Sequence, residues 1–283
     1  MRRSEWLLAA FFIYIAALAL VWPLDRAAQA GLGLANAGIV AGLALLARSN
    51  REGVAMPRDW YALALVLAAY QEVGWFAPAH HAYSLERFWI YWDRLLLRDW
   101  GLKAAVEFFG PLLPALLELS YSLVYALAPF SMALLYGYGR RRRSERFLFI
   151  FVLGVLLAYA QFPFWPSEPP RTVFPGEDAP SLDTPFRRFN WWLLEGAGIH
   201  TSVFPSAHVS GAFSCAWGMM RALPDRKWAG RFLAVMAALI AVATIYGRYH
   251  YAVDALAGLG LSAAAVGIAA LIEVAREAPE KDA

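Results

Sequence analysis

Cysteine occurs once in the 283 residues, at Cys215. One thiol cannot build a disulfide framework or a cysteine-based zinc or iron–sulfur site. Charge is scarce too: 17% of the residues are Asp, Glu, Lys or Arg, where a soluble domain carries about a quarter. The chain has no glycine-rich phosphate loop, no dinucleotide-binding pattern and no repeat at a solenoid period. These shortages, together with 60% hydrophobic residues and a mean hydropathy of +0.46, exclude disorder, coiled coil and collagen. The bilayer is the solvent to reason with.

A spanning helix needs about 20 mostly apolar residues. Eight runs are predicted to supply one: Trp6–Trp22, Leu32–Ala47, Trp60–Ala77, Phe109–Gly137, Phe147–Trp165, Phe204–Ala222, Phe232–Tyr249 and Val253–Val274. The first follows Arg2 and Arg3 as a signal peptide would, but no small-residue cleavage site stands out, so a retained helix is expected. Residues 83–108 mix Trp and Tyr with Arg87, Asp93, Arg94, Arg98 and Lys103, which suits a helix lying in the interface. The fold class expected is an all-α integral membrane protein.

Basic residues orient the bundle. With the N-terminus inside, about 16 of the 25 Lys and Arg fall on the inner face, Arg140 to Arg143 among them. That run reads as a stop signal contacting anionic headgroups rather than as a nucleic-acid site. Eight spans put both termini in the cytoplasm, and a bacterial inner membrane fits best.

Three polar constellations then fall together on the outer face. They are Phe162-Pro-Phe-Trp-Pro-Ser-Glu-Pro-Pro-Arg171, Phe204-Pro-Ser-Ala-His208 and Tyr246-Gly-Arg-Tyr-His-Tyr-Ala-Val-Asp254. Ionisable groups at membrane depth are functional candidates by default. Ser206 is a good N-cap, and a helix start with free amides is a ready anion site with His208 at its mouth. His250 and Asp254 are four residues apart, so a carboxylate can fix the imidazole tautomer and leave a competent nucleophile or base. Arg171 offers a planar fork for phosphate oxygens. Each also has a plain reading. His-x3-Asp fits capping or metal ligation, Pro-Pro-Arg fits a turn with a snorkelling side chain, and His80, His81 and His200 fit packing. Glu118 could be a proton site, but hydrogen bonding to Ser or Tyr neighbours explains it better.

Taken together and in this order, the three elements resemble the type 2 phosphatidic acid phosphatase superfamily. Pro205-Ser206-Ala207-His208 matches its Pro-Ser-x-His element, His250 and Asp254 its closing His-x3-Asp, and Arg171 the basic residue of its first motif. The usual Ser-Arg before the last histidine is replaced by Ala243 and Thr244, and the first motif lacks Lys-x6-Arg-Pro. Both departures, with Tyr91-Trp-Asp-Arg-Leu-Leu-Leu97, are similar to the branch of inositol phosphorylceramide synthases and their bacterial relatives. The resemblance implies a two-helix addition at 1–58 and a six-helix catalytic core at 59–275. That core would contain the interfacial helix 83–108 and an outer loop 166–203, with a cytoplasmic tail at 276–283.

The same resemblance implies transfer through a phosphohistidine on the extracytoplasmic face. His250 would attack phosphorus, Asp254 would orient it, and His208 would serve as acid and then base. Arg171, the amides around Ser206 and Arg248 would hold the phosphate oxygens, with a simple interfacial anchor as the other reading of Arg248. No cofactor or metal is implied, and the expected partners are a lipid phosphate or phospholipid substrate and membrane lipids, not a nucleic acid, with protein partners left open. Water and a lipid or inositol hydroxyl remain alternative acceptors. A transporter would call for two similar halves, which the sequence lacks. An inactive lipid-binding protein is the other alternative, and retention of both histidines and Asp254 argues against it.

Overall fold

The computed structural model describes residues 1–49, 55–77, 81–199 and 201–277. Arg51, His80, His200 and most of the expected tail at 276–283 lie outside them. The described residues form helices and no strand. An N-terminal trio comprises α1 (Arg3–Val21), α2 (Arg26–Arg48) and α3 (Ala55–Val73). Asp25 starts α2 by accepting the Ala28 amide at 2.8 Å.

Next come α4 (Ser84–Arg94) and α5 (Leu102–Glu107), joined by a π-helical turn over Leu95–Asp99 and by Gly101 at φ +75°. Glu86, Trp89, Ile90 and Asp93 of α4 point into the protein, while Phe88, Tyr91 and Trp92 are exposed. An aromatic outer face and a packed inner one fit a helix lying along a bilayer surface.

The fourth apolar run is not one straight helix. It divides into α6 (Leu112–Ser122) and α7 (Val124–Gly137), bent by 65° at Leu123. Pro129 lies inside α7, where it cannot donate to a carbonyl one turn earlier. Then follow α8 (Ser144–Tyr159), the short α9 (Pro170–Val173), α10 (Pro185–Ala197), α11 (Ala207–Ala222), α12 (Lys227–Tyr246) and α13 (Ala252–Glu277).

Among the described residues, five segments are long and apolar enough to cross a membrane: α1, α2, Arg141–Phe164 around α8, α12 and α13. The bent α6–α7 pair makes a sixth if it is one span. The other two expected runs differ for clear reasons. Helix α11 has only 16 residues, and α3 carries Arg58, Asp59 and Glu72. Two of those charges are answered by α1 and its cap: Arg58 donates to Glu5 at 2.7–2.8 Å, and Arg2 donates to Asp59.

Helix α8 is the central post, packed by α1, α3, α11 and α13. Ser210 of α11 donates to the Gly154 carbonyl of α8 at 2.7 Å. On α13, a Cβ at Gly258 would stand 2.4 Å from the Ser206 carbonyl, so only glycine lets α13 lie against the start of α11. One end of α8 meets the arginine run, where Arg140 and Arg143 pair with Asp225 at 3.2 and 3.1 Å. The three polar constellations gather at the other end.

Candidate active site

Three backbone hydrogen bonds stitch the constellations together. The Arg171 amide donates to the Arg248 carbonyl at 3.2 Å, Ser206 to the Asp254 carbonyl at 3.0 Å, and Val203 to the Ser167 carbonyl at 3.2 Å. Each element is thus tied to the other two before any side chain is considered.

The turn after α12 aims the nucleophile candidate. Arg248 adopts φ +64°, and the Thr244 carbonyl accepts from both Tyr249 and His250. This left-handed residue just past a helix end reverses the chain as a C-terminal cap does, at a cost for a non-glycine residue. A Cβ at Gly247 would meet the Tyr249 ring at 2.4 Å, so glycine is what permits the ring to fold back. His250 follows, buried, with Nδ1 3.3 Å from Asp254 Oδ2. The same oxygen accepts the Tyr251 amide at 2.9 Å. A carboxylate on Nδ1 leaves Nε2 for chemistry. Burial, then the positive charge of Arg171, lowers the His250 pKa from 6.5 to about 3, so the ring is neutral and its lone pair available.

His208 stands in the first turn of α11. Its ring meets that of His250 edge-on at 5.7 Å. Tyr121 stacks on its face at 5.0 Å, and the Tyr125 hydroxyl lies 3.3 Å from Nε2. Tyr121 also stacks on Tyr249 at 4.1 Å, and the Arg171 guanidinium lies 5.4 Å from the Tyr249 ring centre. A column Arg171–Tyr249–Tyr121–His208 therefore spaces the cation from the second histidine. Behind it, Glu118 accepts from Tyr249 at 2.6 Å, Asn190 at 2.8 Å and Arg187 at 3.0 Å. Glu118 is thus engaged by a tyrosine, as its neighbours suggested, and by α10 as well.

Arg171, His208 and His250 line one cavity of about 190 Å³. Its remaining wall is mostly aliphatic and aromatic. The Arg171 side chain makes no hydrogen bond to another described residue, so its fork is open to a ligand. Ser206 is buried, and its hydroxyl is spent accepting the Val209 amide at 3.3 Å. What it contributes here is the start of the helix. Arg248 lies off the cavity wall: its guanidinium donates to buried Asp93 of α4. Sequence reasoning passed over Tyr121, Tyr125 and Tyr249. The signal was there, in two hydroxyl-bearing rings four residues apart inside an apolar run.

A cation, a helix start, a histidine–carboxylate pair and a second histidine thus surround one cavity, an arrangement able to hold an oxyanion. Residues 87–268, well over half the chain and including all three constellations, match the PAP2 superfamily; the chain belongs to it. That superfamily consists in general of phosphatase-type enzymes. Neither a curated protein nor a solved structure matches the chain. Helices α1, α2 and α3 precede the matched region.

Proposed function

We propose that the protein transfers the phosphoryl group of a lipid phosphate through a phosphohistidine at His250. The observation that carries this reading is the convergence of His250, His208 and Arg171 on a single cavity, with Asp254 behind His250. In the first step His250 Nε2 attacks phosphorus, a P–N bond forms, and the ester P–O bond breaks. The departing alkoxide takes a proton from His208. In the second step His208 accepts a proton from an incoming water or alcohol, whose oxygen attacks phosphorus as the P–N bond breaks. Arg171 and the amides opening α11 hold the equatorial oxygens throughout. Asp254 steadies the imidazole while it carries the phosphoryl group.

Those donors supply positive charge where the oxyanion forms, so the reaction is expected to run in excess chelator. A lipid is the fitting substrate because the cavity is walled by apolar side chains in a bundle built for the bilayer. The site lies at the end of α8 opposite Arg140–Arg143, which favours an extracytoplasmic active face under the positive-inside rule.

The test is rapid quenching with a 32P-labelled lipid phosphate. An acid-labile, alkali-stable label on the protein is expected, absent in His250→Ala and reduced in Asp254→Asn. Turnover should be lost in the first variant and lowered by about 10²–10⁴-fold in the second. Product mass spectrometry separates the two acceptors: free phosphate indicates water, and a new phosphodiester lipid indicates an alcohol. Turnover with no label on the wild type would overturn the covalent route.

A further inference from the structure

The cavity continues well past the histidines. From Arg171 and His250 it runs down beside Tyr159, Val155 and Phe151, which occupy successive turns of α8. Tyr159 and Phe151 are eight residues apart, about 12 Å of helix rise. One side of this channel is α7, through Val124, Ala128 and Pro129. The other side is α3, through Leu63, Val66, Leu67 and Tyr70. Gly211 forms part of the floor, where a Cβ would stand 3.2 Å from Val155 and 3.8 Å from Phe151, so glycine lets α11 lie close against α8 there.

Helices α3 and α7 touch at their far ends, where the rings of Trp60 and Tyr136 are 6.3 Å apart and Tyr136 donates to Asp59. Nearer the histidines, Leu67 is 58% and Tyr125 50% exposed although both line the channel. The channel is thus open to the side there, toward what would be hydrocarbon. One end carries a cation and two imidazoles, and the rest carries carbon. An amphiphile with an anionic head and a single unbranched chain matches both ends at once.

We propose that α3 and α7 clasp the hydrocarbon chain of the substrate, with Leu63, Val66 and Leu67 of α3 setting how much chain the site accepts. The inference rests on the phosphoryl-transfer reading for the identity of the head. Helix α3 precedes residues 87–268, so one wall of the channel comes from outside the matched region. The pocket needs no polar partner for the chain, because methylenes are held by area alone. Lateral access also removes any need to drag the chain through water.

The test uses soluble n-alkyl phosphonates from ethyl to octyl, which cannot be turned over, bound to purified protein and followed by calorimetry. In the wild type, affinity should climb with chain length by up to about fourfold per added methylene. Leu67→Trp, at an exposed position that tolerates bulk, should flatten this climb and leave ethylphosphonate affinity unchanged. Leu63→Phe should do the same by a smaller factor and serves if the first variant folds poorly. An affinity that does not depend on chain length, or a climb that survives both substitutions, would overturn the proposal. Because no turnover is needed, this result is separate from the fate of the phosphohistidine. A chain-length effect with no label on His250 would leave the clasp standing and sink the mechanism.

Discussion

The guanidinium of Arg248 is held by Asp93, 155 positions earlier in the chain, at 2.5 Å. Asp93 also accepts the Ala252 amide at 2.8 Å, so one carboxylate of α4 grips both sides of His250. On a continuous helix Arg248 would point about 200° from His250, and only a break at Gly247 could bring it round. The helix does end at Tyr246, yet the side chain turns to α4 and away from the cavity wall. Its first task is to fix the turn. Both groups are buried, and removing one partner of such a pair costs about 3–5 kcal/mol. Asp93→Ala should therefore lower thermal stability sharply and reduce turnover per folded molecule. Arg248→Lys should keep part of the stability and lose the fixed turn. Full stability and full rate in both variants would remove Asp93 from this role.

The depressed pKa of His250 makes a second prediction. The unfolded chain takes up this proton near pH 6.5, whereas the folded protein resists it down to about 3. Between those values the unfolded state binds more protons, so stability falls as pH falls. The contribution is fully present above about 6.5. Denaturation of wild type and His250→Gln, compared from pH 8 to pH 4, should show a stability difference that is flat above pH 7. Below 6.5 that difference should shift steadily against the wild type. A constant difference across the range would mean that the imidazole is not held neutral.

Much of this site is legible in the sequence, because its parts are short-range. Pro205 to His208 can be read as a capped helix start, and His250 with Asp254 as one helical step. The structure gives the capped helix start; His250 lies in the turn before α13 and reaches Asp254 in that helix's first turn, so the two side chains meet without sharing a helix. Arg171 can be read as a phosphate-binding cation, and the structure sets it on the cavity wall beside both histidines, against the Tyr249 ring that the sequence does not single out. The bend at Leu123 was hidden, since the apolar pattern of Phe109–Gly137 continues across it unbroken. In sequence, α3 reads as one more span. Its Arg58 and Asp59 are satisfied by Glu5 and Arg2, partners that only packing reveals. Long-range pairs such as Arg248 with Asp93 leave no local trace at all.

Glu118 offers a third test. It draws Tyr249, Asn190 and Arg187 together, and Tyr249 in turn carries Arg171 against its ring. Glu118→Gln keeps the shape but loses the charge that answers the partly buried Arg187. Stability should drop by about 1–3 kcal/mol, since a charged hydrogen-bonding group has been removed. Vanadate, whose five-coordinate form resembles the transferring phosphoryl group, should bind more weakly as Arg171 loosens. Unchanged vanadate inhibition in a destabilised variant would separate Glu118 from the phosphate site.

The last prediction concerns Tyr125 and His208. The hydroxyl of Tyr125 is 3.3 Å from His208 Nε2, and among the described residues it is the one hydrogen-bonding side chain on that ring. Tyr121 fixes the plane of the ring and Tyr125 fixes its rotation, so Tyr125 is a positioning residue for the proposed acid. An acid matters in proportion to the basicity of the group that leaves. An alkoxide needs the proton badly, whereas p-nitrophenolate hardly needs it. His208→Ala should therefore lose far more activity on an alkyl phosphate than on p-nitrophenyl phosphate. Tyr125→Phe keeps the ring and removes only the hydroxyl, and it should show the same asymmetry on a smaller scale, on the order of tenfold. A merely structural tyrosine would depress both substrates alike. Measuring kcat on the two esters for both variants decides the matter. Equal losses in His208→Ala would remove His208 as the acid, and asymmetry in His208→Ala without asymmetry in Tyr125→Phe would remove only the positioning role of the hydroxyl.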